Sequence, residues 1–286
     1  RVSLWLDGRC EQSACSDGFN DYFAHPFLGS CAEALGSRRR WRGRSVPVPR
    51  LWDDSLVKDV TAILLCGGKG ERLRPFTEHC PKPLVPLGGR PMLQHLVDYL
   101  IASGLERFVF CVGYKADMIH DFLAAHYPDR DRFLAVDSGD ATMTDRLADA
   151  RQHVPGRALV CYGDTLANVN IPGLVRQHEE RRAAGTLTTY PLQSPYGIVD
   201  SDHDGCIRSF REKPVLPFWI NIGFLLLEPE VVREVRRGTD MPQFLEGLAG
   251  AGRLFAYRHE GSHLTVNTEK ERAQAEMQLA QMFTVP

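Results

Sequence analysis

Between positions 64 and 75 the chain reads Leu64-Leu65-Cys66-Gly67-Gly68-Lys69-Gly70-Glu71-Arg72-Leu73-Arg74-Pro75. The apolar and β-branched run from Thr61 to Leu65 leads into this segment and is typical of a buried parallel strand. Three glycines within four positions then let the backbone turn sharply and bring its N–H groups close to a ligand. Because cations follow the glycines at once, this pattern predicts a polyphosphate-binding loop at the carboxyl end of a strand.

A second basic segment follows and reads Pro81-Lys82-Pro83-Leu84-Val85-Pro86-Leu87-Gly88-Gly89-Arg90-Pro91. Taken alone, the glycine loop has a plainer interpretation, a tight turn with solvated charges. The second segment adds Lys82 to the arginines and favours phosphate binding. Two common phosphate loops are excluded, because Leu73 stands where a dinucleotide fold has a third small residue and no Gly-Lys-Ser or Gly-Lys-Thr follows the loop.

Composition narrows the class of protein. The chain has 286 residues, 43% of them hydrophobic, which is enough for a sizeable core. A formal net charge of −2 argues against a nucleic-acid protein that binds through bulk charge. No apolar run is long enough to span a bilayer, and the N terminus lacks the features of a secretory signal. The eight cysteines include no Cys-x-x-Cys pair, and Cys66, Cys111 and Cys161 lie inside apolar strand-like runs, where cysteine behaves as a small hydrophobe. This usage favours a reducing, cytoplasmic compartment.

Residues 1–57 show no sustained strand or helix periodicity. Five arginines fall within Arg38–Arg44, and two prolines follow. A basic arm for an anionic partner stays open, as does a zinc site built from Cys10, Cys15, Cys31 and His25, although these spacings match no zinc pattern. We expect a dispensable, poorly ordered extension, or translated sequence upstream of the true start, because the chain opens on Arg1 rather than Met.

From residue 58 onward the pattern alternates between strand and helix. Apolar strand-like runs fall at 61–65, 107–113, 133–136 and 158–162, with helical patterns between them. This alternation predicts an α/β fold with a doubly wound, mostly parallel, Rossmann-like sheet and a ligand beyond the carboxyl ends of its strands. Further strand patterns are separated only by turns and predict a mixed sheet in the second half. They fall at 187–190, 196–200, 207–210 and 220–227.

The two quoted segments together resemble the signature of the sugar-1-phosphate nucleotidyltransferases, Gly-Gly-x-Gly-x-Arg-Leu-x-Pro-x-Thr followed by Pro-Lys-Pro-Leu and Gly-Gly-x-Pro-Met. The match extends to Thr77 and Met92. The resemblance implies a sheet of the nucleotide-diphospho-sugar transferase type, and an enzyme that uses Mg²⁺, a nucleoside triphosphate and a sugar 1-phosphate. It also implies one domain over 58–286, with a nucleotide-binding half at 58–165 and a sugar-phosphate half at 166–286.

The resemblance further implies roles for individual residues. Catalytic roles fall to Arg72, Lys82 and Asp164. Nucleotide binding falls to Leu65, Gly67, Gly68, Gly70, Gly113 and Tyr114. Sugar-phosphate binding falls to Tyr196 and Gly197, to Glu212 and Lys213 of a Glu-Lys-Pro motif, and to Asn221 of an Asn-x-Gly-Phe strand. An ordinary exposed turn is the alternative for Glu212 and Lys213.

Asp164 is the candidate metal ligand. It follows an apolar strand and Gly163, at the edge of the predicted sheet where phosphates would gather. Mg²⁺ binds through one or two carboxylates together with substrate phosphate oxygens, so one well-placed Asp is informative. An Asp that merely starts a turn is the alternative. The phosphate loop at a neighbouring strand end favours the metal role, and the resemblance implies it as well.

The nucleotide is narrowed by a second resemblance. Val136–Leu147 resembles the Val-Asp-Thr-Gly-Asp-x-x-Met-Thr-Gly-Gly-Arg stretch of glucose-1-phosphate cytidylyltransferases, and Cys111–Lys115 resembles their Cys-Gly-Tyr-Lys strand end. The resemblance favours CTP and glucose 1-phosphate. It implies that Thr144 and Arg146 lie at the edge of the base.

This chain departs from the cytidylyltransferase pattern at two points. A single Asp145 stands where the relatives have Gly-Gly, and most of an insertion that precedes their motif is absent. The alternative for this stretch is a helix N-terminal turn capped by Asp140 or Thr142.

A further departure lies near the C-terminal end. Many family members have a second metal-binding Asp before the last helix, and here Asn267 occupies that position. An amide oxygen can ligate Mg²⁺ but brings no charge, so Asn267 is either a weakened metal ligand or part of a helix cap, since Thr268-x-x-Glu271 is a capping-box pattern. Glu269 is an alternative metal partner. The helix is expected to turn Ala273, Met277 and Ala280 inward.

Two other classes of function stay open. One is a relative that binds nucleotide or sugar phosphate without turnover, which Asn267 favours. The other is a cytidylyltransferase that acts on a non-sugar phosphate or phosphonate. The intact set of Arg72, Lys82 and Asp164 favours an enzyme, and its phosphate nucleophile needs no general base because it is ionised at neutral pH. No nucleic-acid or membrane partner is expected, and a homo-oligomer stays open.

Overall fold

The computed structural model describes residues 54–282. The interpretations made for residues 1–53 lie outside this range, including the zinc alternative at Cys10, Cys15, Cys31 and His25. The 3-10 turn Asp54–Val57 packs on the domain, since Val57 is fully buried and Arg157 donates a hydrogen bond of 3.3 Å to the Leu56 carbonyl. Residues 54–57, which the sequence analysis assigned to the N-terminal extension, are therefore in contact with the domain that follows.

Helices and strands alternate through the described region. Its α-helices are α1 (Phe76–His79), α2 (Met92–Ala102), α3 (Ala116–His126), α4 (Met143–Ala150), α5 (Ile171–Glu180), α6 (Pro229–Glu234), α7 (Met241–Gly250) and α8 (Glu269–Met282). Its strands are β1 (Val60–Leu65), β2 (Pro86–Leu87), β3 (Arg90–Pro91), β4 (Arg107–Val112), β5 (Phe133–Asp137), β6 (Arg157–Tyr162), β7 (Thr165–Ala167), β8 (Gly185–Gln193), β9 (Ile198–Ser201), β10 (Ile207–Arg211), β11 (Val215–Leu227), β12 (Leu254–Arg258) and β13 (His263–Thr265). None of the helices in this region is long and apolar enough to cross a membrane.

The main sheet has seven strands in the order β12-β8-β11-β6-β1-β4-β5. All neighbours pair in parallel except β11, which runs antiparallel to both β6 and β8. The chain leaves β1 toward β4 and β5 on one side and returns to β6 on the other, so the strand order reverses at β1. The expected doubly wound, mostly parallel sheet with a mixed second half is confirmed.

Two hydrophobic clusters cover the two faces of the sheet. Along β1, Ala62 and Leu64 belong to one cluster and Ile63 to the other, because successive side chains of a strand point to opposite faces. The first cluster contains Leu96 of α2, Phe122 of α3 and Leu174 of α5. The second contains Leu147 of α4, Val231 of α6 and Leu248 of α7. Burial on both faces explains why β1 reads as a continuous apolar run.

Two small pairs of strands depart from the main sheet. β9 and β10 form an antiparallel hairpin that stands apart from it. β13 pairs with β7 and brings the segment before α8 beside the segment that follows Asp164. The C-terminal part of the described chain is thereby carried to the carboxyl edge of the central strands.

The expected inward face of the last helix is wrong. Met277 is 72% exposed and Ala273 is exposed too, whereas Ala275 is buried. The side chain of Arg272 is buried, and its guanidinium carbon lies 5.2 Å from the centroid of the Phe76 ring. Two glutamates of α8, at positions 269 and 276, pair with that guanidinium and make its burial tolerable.

Candidate active site

The glycine loop is anchored to both strands that flank β1. Cys66 N–H donates to the Cys111 carbonyl at the end of β4, 2.8 Å. Gly163 N–H, just past β6, donates to the Leu65 carbonyl, 3.1 Å. The loop therefore leaves the sheet where the strand order reverses, which is the usual ligand position in open α/β sheets. Leu65 contributes its backbone here, as its side chain packs on the core.

Three predicted catalytic residues and Asn267 meet beside this loop. Lys82 Nζ lies 2.7 Å from Asp164 Oδ2 and 2.9 Å from Asn267 Oδ1. Arg72 Nη2 donates to the same Asn267 oxygen, 3.1 Å. Four separate segments of the chain supply these side chains. The structure therefore brings together Arg72, Lys82 and Asp164, the three residues to which the resemblance assigns catalytic roles.

The electrostatics of this cluster favour an anion. Lys82 is only 7% exposed and is neutralised by the more open carboxylate of Asp164. Arg72 is bonded to a neutral amide, so the four side chains together carry one excess positive charge. A positive charge beside exposed loop residues such as Gly68 is suited to attract a polyphosphate.

Asn267 does not use its side chain as a helix cap. Thr268 Oγ1 accepts from Glu271 N–H, 3.2 Å, and the Glu271 carboxylate accepts from Asn267 N–H, 2.7 Å. The cap of α8 is thus supplied by Thr268 and Glu271, and the Asn267 side chain faces the two cations. Glu269 pairs with Arg272 at 2.9 Å, so it is engaged away from Asp164.

Thr144 and Arg146, which the resemblance places at the edge of the base, have buried side chains with hydrogen bonds inside the protein. Thr144 is fully buried, and its hydroxyl donates to the Thr239 carbonyl. Arg146 is 4% exposed, and its guanidinium donates to three backbone carbonyls. They belong to Val112, to Gly67 at 3.2 Å and to Gly139 at 2.8 Å. The Thr144 hydroxyl and the Arg146 guanidinium are thus hydrogen-bonded to the protein backbone in this structure.

The alternative for this stretch was a helix N-terminal turn capped by Asp140 or Thr142. In the structure, Thr142 caps the N terminus of α4. Its hydroxyl accepts from Asp145 N–H at 3.1 Å, and the Asp145 carboxylate accepts from Thr142 N–H at 3.4 Å, which completes a capping box. Gly238 N–H also donates to that carboxylate, 2.7 Å, and this hydrogen bond is the main cause of the lowered pKa of Asp145. Asp140 instead pairs with Lys69 of the glycine loop, 3.0 Å.

Gly113 and Tyr114 form a second wall beside the glycine loop. Tyr114 N–H donates to the Gly67 carbonyl, 3.2 Å, and its hydroxyl donates to the Thr77 carbonyl, 2.9 Å. Thr77 Oγ1 in turn donates to the Gly70 carbonyl, 3.1 Å. A side chain at Gly113 would overlap the backbone of the neighbouring loop, so glycine is required there. These bonds hold both predicted nucleotide-binding segments at a fixed separation.

Four of the predicted sugar-phosphate residues lie next to the β9–β10 hairpin, namely Tyr196, Gly197, Glu212 and Lys213. A Cβ at Gly197, just before β9, would lie 3.1 Å from Glu212 Oε2 and 2.6 Å from the Phe210 ring, so these side chains pack against the Gly197 backbone. Gln193 Nε2 donates to the Lys213 carbonyl, 3.2 Å. Tyr196 is 75% exposed, which leaves its ring open to a ligand.

Asn221 lies elsewhere, next to the end of β6. Its Oδ1 accepts from Gly223 N–H, 2.7 Å, and its Nδ2 donates to the Tyr162 hydroxyl, 3.4 Å. Gly223 has a φ of 78°, and a Cβ there would lie 2.7 Å from the Tyr162 ring. Sequence reasoning missed Tyr162, although its place two residues before Asp164 was a signal. Burial raises the pKa of Tyr162, and the nearby Asp164 charge raises it further.

Comparisons with known proteins show the family to which the chain belongs. Residues 61–243 match the protein family described as "Nucleotidyl transferase". The chain is 31% identical over 242 residues to the glucose-1-phosphate cytidylyltransferase of Salmonella typhimurium, covering 75% of this chain and 94% of that enzyme. The chain belongs to the sugar-1-phosphate nucleotidyltransferase family. Enzymes of this family transfer a nucleotidyl group to a sugar 1-phosphate and generally use a divalent metal ion.

Two further proteins are similar to this chain, one in sequence and one in fold. The UTP–glucose-1-phosphate uridylyltransferase AglF of Haloferax volcanii is 30% identical over 241 residues, 78% of this chain and 98% of that enzyme. The structure of HddC from Yersinia pseudotuberculosis has the same fold, with a TM-score of 0.60, 21% identity, and 77% of this chain and 99% of that chain covered. Relatives with different nucleotides therefore match this chain about equally well.

The residues beside Lys82 fit a divalent metal ion. Within residues 54–282, no group of three or more His, Cys, Asp or Glu side chains is arranged to hold a metal. Asp164 Oδ2 and Asn267 Oδ1 both contact one ammonium group, so two oxygens already flank a cation. Mg²⁺ prefers oxygen ligands and binds through one or two protein groups together with substrate phosphates and water. This donor set suits a metal that arrives with a nucleotide.

Proposed function

We propose that this protein transfers the cytidylyl group of CTP to glucose 1-phosphate, giving CDP-glucose and pyrophosphate. The contact of Lys82 with both Asp164 and Asn267 carries the proposal, because it brings a cation and two oxygen donors to the end of a glycine loop. The choice of CTP and glucose 1-phosphate is supported by the Val136–Leu147 stretch and by the 31% identity to a glucose-1-phosphate cytidylyltransferase.

The reaction is an in-line displacement at the α-phosphorus. An oxygen of the sugar 1-phosphate forms a new bond to the α-phosphorus, the bond to the β-bridging oxygen breaks, and pyrophosphate leaves with its electron pair. Backbone groups of Leu65, Gly67, Gly68 and Gly70 bind the triphosphate. Alignment of the two substrates contributes up to about 7–11 kcal/mol to lowering the barrier. The phosphate nucleophile is already ionised, so no general base is needed.

Two cations neutralise the charge that moves during this displacement. Arg72 contacts the departing pyrophosphate, and Lys82 shifts from Asp164 to the α-phosphate when the nucleotide binds. Asp164 and Asn267 would hold the metal ion, which neutralises phosphate charge when bound. Because Asn267 is neutral, the protein offers this metal one negative charge rather than two. We therefore infer that the metal binds mainly as its complex with the nucleotide.

The remaining predicted residues divide between the two substrates. Lys213 binds the phosphate of the incoming sugar phosphate, and Glu212 accepts hydrogen bonds from sugar hydroxyls. Tyr196 and Gly197 lie against the sugar, and Asn221 completes the site near Tyr162. Base recognition then falls to Gly113 and Tyr114, because Thr144 and Arg146 are buried.

A substrate panel tests this proposal. Pyrophosphate release is measured for CTP, UTP, GTP, dTTP and ATP, each paired with glucose 1-phosphate, mannose 1-phosphate and an alkylphosphonate. We expect the highest kcat/KM for CTP with glucose 1-phosphate. A higher value for another nucleotide contradicts the cytidylyl assignment, and release with the alkylphosphonate alone contradicts the sugar assignment. Nucleotide binding without release in any pair supports a protein that binds without turnover.

A further inference from the structure

The guanidinium of Arg146 sits beneath three loops of the nucleotide site. It donates to the carbonyls of Val112, Gly67 and Gly139, which lie at or just past the carboxyl ends of β4, β1 and β5. The planar guanidinium therefore connects the carboxyl ends of three neighbouring strands. The fork of N–H groups on arginine suits this task, because a lysine ammonium cannot reach three carbonyls in one plane.

The glycines of these loops make room for that guanidinium. A Cβ at Gly67 would overlap Arg146, and a Cβ at Gly113 would lie 2.6 Å from its Nη1. At Gly68, by contrast, a Cβ would meet nothing within 4 Å. Gly67 is thus required by the buried guanidinium, whatever ligand is bound, whereas a Cβ at Gly113 would first meet the Gly139 carbonyl at 2.3 Å.

The position of Arg146 is set independently of any ligand. It lies in the first turn of α4, where the Thr142–Asp145 capping box fixes the start of the helix. The Cys111 thiol also donates to the Arg146 carbonyl, 3.5 Å. The backbone of Arg146 is therefore held by groups that do not belong to the three loops, so its side chain can act as a fixed point for them.

We propose that Arg146 is a positioning residue, which sets the separation of the three nucleotide-binding loops by bonding to their backbones at once. Its three partners are carbonyl oxygens, so its charge is met by dipoles rather than by a carboxylate. A buried cation in this state favours an anion in the loops above it. This inference rests on the proposed function only in taking that anion to be the triphosphate of CTP.

Hydrogen exchange of the amides separates positioning from base contact. In Arg146→Lys and Arg146→Met we expect faster exchange at residues 66–70, 113–115 and 138–141, with unchanged protection in β6. Arg151→Lys is the matched control, since Arg151 also donates to a backbone carbonyl, that of Val235 at 3.0 Å, away from the loops. Unchanged exchange in all three loops of Arg146→Met overturns the proposal.

Kinetics provide a second readout. We expect Arg146→Lys to raise KM for CTP by about tenfold and to lower kcat, while KM for glucose 1-phosphate stays within about twofold. Preference among CTP, UTP and GTP should be unchanged, because all three share the triphosphate. A changed base preference with unaltered loop exchange assigns base contact to Arg146 and overturns the proposal. A lower melting temperature with unaltered KM and exchange assigns it a purely structural role, which also overturns it.

A double-mutant cycle tests the crowding directly and needs no turnover. Gly67→Ala should strongly lower the melting temperature and CTP binding when Arg146 is present. The same change should cost much less beside Arg146→Met, because the shorter side chain vacates the space that a Cβ at Gly67 needs. Additive effects on melting temperature contradict the proposal. Because melting and exchange are measured without substrate, failure of the proposed function alone leaves both tests decisive.

Discussion

Lys82 Nζ lies 2.7 Å from Asp164 Oδ2, which joins the second basic segment to the residue that follows β6. The ammonium is nearly buried, and it also contacts Asn267 Oδ1 at 2.9 Å. Under the proposed function, Asp164 and Asn267 would hold the metal ion, and Lys82 would bind a phosphate oxygen of the nucleotide.

Replacing Asp164 by Asn should abolish turnover and spare the fold. The amide still accepts from Lys82 but offers the metal no charge, so we expect kcat to fall by about a thousandfold or more. The free energy of unfolding should change by no more than about 1 kcal/mol. Asp98→Asn is the control. Like Asp164, Asp98 is a half-exposed carboxylate paired with a cation, but its partner is Arg90 and the pair lies outside the site. Retention of wild-type kcat in Asp164→Asn removes the metal assignment.

Replacing Asn267 by Asp should strengthen metal binding. A second carboxylate beside Asp164 adds charge, so the Mg²⁺ concentration for half-maximal activity should fall about tenfold. Thr268→Ala is the matched control for the helix cap, and it should lower the free energy of unfolding by about 1 kcal/mol without changing the Mg²⁺ dependence. If Asn267→Asp changes stability alone, Asn267 is not a metal ligand.

The sequence anticipates most of the elements that carry this site. β1, β4 and β6 were readable because strands buried on both faces have continuous apolar runs. The placing of the glycine loop and Asp164 at the same edge followed from the rule that ligands bind where parallel strands end, whereas the roles of Arg72 and Lys82 came from the family resemblance. Asn267 was located only through the family resemblance.

Other features depended on contacts that no local pattern records. The burial of Arg146 is set by the backbones of three loops that are distant in sequence. The inward face of α8 follows from Arg272 stacking on Phe76 rather than from its apolar residues. The length of β11 was underestimated, because its first half pairs with β8 through irregular register although most of its residues there are exposed.

Replacing Lys213 by Gln should weaken binding of the sugar phosphate alone. Loss of one charged contact to phosphate should raise KM for glucose 1-phosphate about tenfold and leave KM for CTP unchanged. Arg208→Gln is a control on the same hairpin, since Arg208 pairs with Asp202 at 2.6 Å. A larger effect on KM for CTP than on KM for glucose 1-phosphate would place Lys213 with the nucleotide.

Replacing Gly70 by Ala should reduce activity as well as stability. Gly70 has a φ of 62°, and a Cβ there would lie 2.9 Å from the Lys82 Cβ. Gly205→Ala isolates the conformational cost, because Gly205 has a φ of 83° and open space around it. Each change should cost about 1–2 kcal/mol in unfolding free energy from the left-handed backbone. Only Gly70→Ala should also lower kcat/KM, and equal kcat/KM in both variants would contradict the crowding of Lys82.

The buried histidines should make the protein less stable in acid. Burial, followed by the neighbouring His259, lowers the pKa of His263 from 6.5 to about 4. The unfolded chain therefore binds a proton at His263 more readily than the folded protein does. The contribution of neutral His263 to the free energy of unfolding is complete above pH 6.5 and is lost as the pH falls toward 4. We expect a loss of about 1–3 kcal/mol from this group, measured by denaturant unfolding. His263→Gln should flatten this dependence, whereas His203→Gln, at an exposed position, should not.

The most direct test follows the α-phosphate of the nucleotide. The wild-type protein is given CTP labelled at the α-phosphate together with glucose 1-phosphate and Mg²⁺, and the products are separated. The account predicts that all label enters a nucleotide sugar, with one unlabelled pyrophosphate released for each, and that Lys82→Met and Asp164→Asn form neither product. Label recovered as CMP, or no product from the wild-type protein with any nucleotide and sugar phosphate, would contradict it.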